Sequence, residues 1–210
     1  RDKLMKHKYL LLLRYSLVNA VGLVFILVVY SQGYLNKAIK SDVTNVVVLI
    51  IFIFLIGLTL ASIKAFWISR ELNHAYSLQK KEKSVLNDFI KKSKKLDASS
   101  RSNLVSSVRI NISVKISNIK FIANILVILG LIGTVIGFII ALSGVDGSVS
   151  SNPEEVGKMV ASLVKGMSVA LYTTLAGSIL SVWLNICYQI LSNGANRLTS
   201  RIIEVGEETF

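Results

Sequence analysis

Four runs of apolar residues, near 9–30, 46–68, 122–145 and 159–191, are long enough to cross a hydrocarbon core, which takes about 20 helical residues. Each run is continuous rather than short and alternating, so the sequence predicts spanning helices and disfavours a β-barrel. Composition agrees. Of the 210 residues, 52% are hydrophobic and the mean hydropathy is +0.60, as in an integral membrane protein.

A net charge of +12 would point to nucleic acid in a water-soluble chain, but its distribution gives another reading. Twelve Lys/Arg fall between Arg70 and Lys120 and four more precede Tyr9, whereas the loops at 31–42 and 146–158 hold only Lys37, Lys40 and Lys158. Positive residues stay on the cytoplasmic side, so both termini and the central loop are expected there, with anionic membrane lipid as a compatible contact and no nucleic-acid partner. The opening RDKLMKHKYLLLLRYS has the basic leader of a signal peptide. Its apolar run is too long, and no small-x-small cleavage site follows, so a retained first span is expected. Arg14 is expected to snorkel toward the headgroups.

The chain divides by this reading into an N-terminal pair of spans (1–68), a cytoplasmic helical hairpin (69–120), and a second pair of spans with a cytoplasmic extension (121–210). In the hairpin's first arm, Leu72, Tyr76, Leu86, Phe89 and Ile90 keep helical spacing. Asp97-Ala-Ser-Ser-Arg-Ser reads as its turn. The return arm is ambiguous: Val108, Ile110, Ile112, Val114 and Ile116 alternate, yet Val105, Val108, Ile112, Ile116 and Ile119 share one helical face. With no Gly or Pro before the third span, a helix running straight into the membrane is favoured. The fourth segment starts with Asn152 as N-cap, Pro153 in the first turn and Glu154 and Glu155 at the positive end of the dipole. Leu191, Ala195, Leu198, Ile202 and Val205 extend its apolar face, which predicts one long helix packing on the hairpin, with Gly206 as its end.

The third and fourth runs carry stripes of small residues. Gly130, Gly133, Gly137, Ala141 and Gly144 recur at three- and four-residue steps in the third, and Gly166, Ala170, Thr173, Gly177 and Ser181 in the fourth. Small residues let helix backbones approach closely in a bilayer. Tight packing alone accounts for such stripes. The functional reading adds a narrow pathway lined by the hydroxyls of Thr134, Thr173 and Thr174. No Asp or Glu lies in any of the four runs. Threonine can orient water but cannot hold a proton near neutral pH, so a proton path would need a carboxylate from another chain.

Enzyme chemistry finds no support: His7 and His74 are the only histidines, and P-loop, nucleophile-elbow and Cys/His metal spacings are missing. No catalytic residue, metal site or cofactor is expected. Cys187 is alone in the fourth run, which rules out an intrachain disulfide and suggests packing.

At GLIGTVIGFI (Gly130 to Ile139) and GMSVALYTTLAGSIL (Gly166 to Leu180), continuing through Tyr188-Gln189, the chain resembles the MotA/TolQ/ExbB proton-channel family over Asn124 to Asn193. Four spans resemble the MotA/PomA branch more than the three-span ExbB/TolQ branch. The resemblance implies a homopentameric ring in the bacterial inner membrane, enclosing a dimer of a single-span MotB/ExbD/TolR-like partner whose Asp carries protons. It implies that Thr134 and Thr174 are the pore-facing threonines; Thr173 and Ala170, from the fourth run's small-residue stripe, are expected to line the same path. Gly130, Gly133, Gly137, Gly166 and Gly177 are the helix-packing positions. Val169 stands where ExbB and TolQ carry Glu, Val127 replaces a frequent Pro, and the central loop is about half a flagellar stator's length. The driven machine stays open among flagellar rotation, cell-envelope energisation and defence; a non-conducting scaffold and a self-sufficient ion channel are the other classes.

Overall fold

A computed structural model describes residues 10–33, 36, 39, 44–77, 84–94, 97–143 and 153–208. Among these are five long or short helices and no strand: α1 (Leu10–Ser31), α2 (Val46–Ser77), α3 (Val85–Ser93), α4 (Ala98–Ser143) and α5 (Pro153–Glu208). All but α3 are long and apolar enough to cross a membrane. With 46 and 56 residues, α4 and α5 each exceed twice the ~20 residues a crossing takes.

Local chemistry sets the helix ends. Gly33 follows α1 with φ +76°, and its N–H donates to the Tyr30 carbonyl at 2.9 Å. That left-handed stop suits glycine, which has no Cβ to clash. Asn45, one of the few other residue types tolerant of this region, has φ 57° and accepts α2's first bond from Leu49 N–H at 3.1 Å.

The first arm of the central segment is not one helix. Leu72 and Tyr76 belong to α2, and Leu86, Phe89 and Ile90 to α3. Ser84 starts the new helix in extended conformation, its hydroxyl accepting from Asn87 N–H at 3.2 Å. Asp97 is not the start of a turn either. Its carbonyl accepts from Arg101 N–H at 3.0 Å, so the Ser/Asp-rich run opens α4; these residues suit caps as well as turns. The return arm is helical, continuous with the third apolar run. Helix α5 begins at Pro153 with two glutamates in its first turn; Asn152 and Gly144 lie outside the described residues. Gly206 does not end α5, which continues to Glu208. A Cβ at Gly206 would come 2.6 Å from Phe89 Cε1, so close approach of a ring accounts for the glycine.

The described chain forms two compact units, one from 10–20, 58–120 and 185–208, the other from 21–57 and 121–184. In the first, Ile112, Ile116 and Ile119 of α4 are buried, as are Leu191, Leu198 and Ile202 of α5, while Ile110 and Val114 are exposed. That one-sided burial settles the return arm's periodicity in favour of the helix. The buried Glu71 carboxylate accepts from Val85 N–H at 3.2 Å, tying the start of α3 to α2. Tyr15 Oη and Ser62 Oγ lie 2.8 Å apart, joining α1 to α2 within this unit. Cys187 is fully buried, a packing position.

The second unit is organised by the small residues of α4 and α5. Rising positions on α4 meet falling positions on α5: Leu126 and Gly130 meet Gly177, Gly133 meets Thr173, and Gly137 meets Ala170 and Gly166. The two helices therefore run antiparallel. A Cβ on Gly137 would stand 2.5 Å from Ala170 N and 2.6 Å from Gly166 O; one on Gly177 would stand 2.6 Å from Leu126 O. These obstacles are backbone, which no rotamer change can move aside. Ser181 Oγ extends the seam by donating to the Ala123 carbonyl at 2.7 Å. Elsewhere in this unit the Trp183 indole lies against Gly22 and meets the Phe54 ring at 5.2 Å and 55°.

The seam predicts a contrast between glycines. Gly137→Val should lower thermal stability in detergent by the equivalent of about 3 kcal/mol, as expected for overpacking against a rigid neighbour. Gly157→Ala, whose Cβ would meet nothing within 4 Å, should leave it unchanged or slightly raised.

Candidate ion-path site

The seam brings two of the four expected pathway residues together. Thr134 on α4 is half-buried and Thr174 on α5 is exposed, and their hydroxyls are in direct hydrogen-bond contact. Both also reach one acceptor. Thr134 Oγ1 lies 3.1 Å from the Gly130 carbonyl oxygen, one turn back on its own helix. Thr174 Oγ1 reaches the same oxygen from the other helix at 3.2 Å. That crossing depends on Gly130, where even a Cβ would stand 3.2 Å from Thr173 O and 3.3 Å from Thr174 Cα.

The other two occupy the seam itself. Thr173 is fully buried against Gly133, its hydroxyl donating back along α5 to Val169 O at 2.9 Å and Ala170 O at 3.0 Å. Ala170 is buried against the backbone of Gly137. Gly130, Gly133, Gly137, Gly166 and Gly177, expected from the small-residue stripes, all stand at the α4–α5 contact.

The chemistry of the cluster follows from counting protons. Each hydroxyl has one proton and two lone pairs, and a carbonyl can accept twice. The proton shared between the hydroxyls can belong to either threonine, and either can donate to Gly130 O. Every arrangement leaves at least one hydroxyl lone pair for an outside donor, such as water or a protonated carboxyl. The cluster can therefore turn its polarity without ionising. Leu131, Val135 and Phe138 on α4 and Leu171 and Leu175 on α5 are exposed around it, so the hydroxyls interrupt an apolar surface.

Among the described residues, no group of three or more His, Cys, Asp or Glu is placed to hold a metal ion. The sequence signals the two threonines but not their shared acceptor. Thr134 at Gly130's i+4 position always has that carbonyl in reach; Thr174's access depends on interhelical register, which one helix's spacing does not carry.

Thr134→Val and Thr174→Val remove the hydroxyls while nearly conserving volume. Thermal stability of each variant should fall by only about 0.5–1.5 kcal/mol, the net worth of a hydrogen bond. A much larger fall in detergent melting would mean that the pair is chiefly a structural clamp.

A sequence profile of the MotA/TolQ/ExbB proton channel family matches residues 79–204, well over half of the chain. No curated protein and no solved structure matches it. The profile match covers the whole α4–α5 seam and both threonines, and the chain belongs to the MotA/TolQ/ExbB proton channel family.

Proposed function

We propose that this chain is the ring-forming subunit of a proton-driven motor in a bacterial inner membrane, with the Thr134–Thr174 pair on the proton path. Family membership supports the general channel or stator-type role. The observation that carries the finer reading is the hydroxyl pair, bonded together on an otherwise apolar surface. Unable to titrate, it suits a partner that brings the carboxylate: a single-span protein whose membrane Asp passes the pair as it is protonated and deprotonated. The ring, a homopentamer in this proposal, would place one pair per subunit before that Asp. Thr173 and Ala170 then support the path by holding the seam closed.

In the same proposal both termini and residues 69–120 face the cytoplasm, with 1–68 as the outer pair of spans and 121–210 as the pore-forming pair. The exposed faces of α1, whose one buried residue is Tyr15, would face lipid.

The test is proton-driven output in cells or proteoliposomes containing the chain and its partner. Thr134→Val and Thr174→Val should each reduce output at least about tenfold, or ~1.4 kcal/mol in the barrier, while the complex still assembles. Thr134→Ser and Thr174→Ser should retain most of it. Full output in both valine variants would favour the second reading, a non-conducting scaffold, to which the close-packed glycine seam is equally suited.

A further inference from the structure

The unit formed by 10–20, 58–120 and 185–208 holds a cavity unrelated to the threonine pair. About 60 Å³ in volume, it lies where α1, α2 and α5 meet, and Arg14, Asn193 and Arg197 line it together with Leu11, Leu72 and Ile190. A water needs roughly 10–15 Å³ on this measure, so the space admits a tetrahedral group of phosphate size.

Among the described residues its charge is unbalanced: no described acidic residue lines the cavity, and neither Arg14 nor Arg197 forms an ion pair with a described carboxylate. Arg201, one turn beyond Arg197, is different: it pairs with Glu204 at 2.8 Å and stacks over Tyr76 at 5.4 Å. Two arginines lining one cavity without a described counter-charge favour an anion between them, and their planar forks match phosphate oxygens. The remaining wall is mostly leucine and isoleucine, with Tyr76 and Gly194, which suits the glycerol and upper acyl region of a lipid. Arg14 also lies within the first turns of the membrane-length helix α1, a headgroup depth for a snorkelling arginine.

We infer that this cavity binds the phosphate of an anionic phospholipid, held by Arg14 and Arg197 with the lipid's apolar stem against Leu11, Leu72 and Ile190. The charge favours a phosphate; the apolar wall favours a lipid source over a soluble one. Basic pockets between spanning helices take anionic headgroups in this manner. Neither the proton-path reading nor the threonine pair is needed for this site.

The experiment is intact-mass measurement of delipidated full-length protein, titrated with phosphatidylglycerol or phosphatidylcholine of identical acyl chains. Phosphatidylglycerol should bind at least about tenfold more tightly, given the attraction of two arginines for an anionic lipid. Arg14→Gln combined with Arg197→Gln should abolish that preference, and Arg14→Lys with Arg197→Lys should keep part of it. Inorganic phosphate at millimolar concentration should not displace the lipid; efficient displacement would identify a soluble-phosphate site and overturn the lipid assignment. Equal binding of the two lipids, or a preference that survives the glutamine pair, would overturn the proposal. If the glutamine variant does not fold, a photoreactive phosphatidylglycerol on the unaltered protein decides: crosslinks at 10–14, 72–76 or 190–197 support the site, and crosslinks only elsewhere overturn it.

Discussion

Backbone-to-backbone contact between α4 and α5 is the constraint on which the candidate path rests. In a bilayer, apolar side chains gain little by leaving lipid for a neighbouring helix, so close packing and interhelical hydrogen bonds must hold helices together. Gly130, Gly137, Gly166 and Gly177 allow that packing because each faces main-chain atoms of the opposite helix. The same closeness lets Thr174 reach the Gly130 carbonyl across the interface. Widening the seam by one methyl group would draw Thr174 away from Thr134 and from the Gly130 carbonyl, which Thr134 alone would still reach. Packing and chemistry are therefore coupled through the same glycine.

The threonine cluster also sets a chemical division of labour. Hydroxyl and carbonyl groups can orient a proton donor or acceptor, but they do not store a proton at neutral pH. A carboxylate placed in the membrane does so at considerable cost unless it finds polar neighbours. The proposed arrangement puts the costly group on a separate helix and supplies a hydrogen-bonding station on this one. The exposed position of Thr174 is compatible with such an approach, while buried Thr173 contributes by packing.

Much of this was legible in sequence because the governing signals are local or periodic. Four apolar runs announce four membrane-length helices, and Ile112, Ile116 and Ile119 announce the buried face of α4. The small-residue spacings announce the seam. Boundaries were less legible where one residue type serves two purposes. Ser84 starts a helix inside an apparently continuous apolar pattern, Asp97 heads a helix rather than a turn, and Gly206 admits the Phe89 ring instead of stopping α5. Interhelical register was not legible at all, so the Gly130 carbonyl and the separation of Thr173 from Thr174 emerge only in three dimensions.

The central proposal is that this family member works as a ring around a partner bearing the membrane carboxylate. Its most direct test is the intact mass of the complex, purified at native expression in mild detergent. The account predicts several copies of this chain, five in the proposed ring, retaining a single-span protein with an Asp in its membrane segment. A single copy, or a ring without such a protein across several mild detergents, would contradict it and favour the scaffold or a self-sufficient channel.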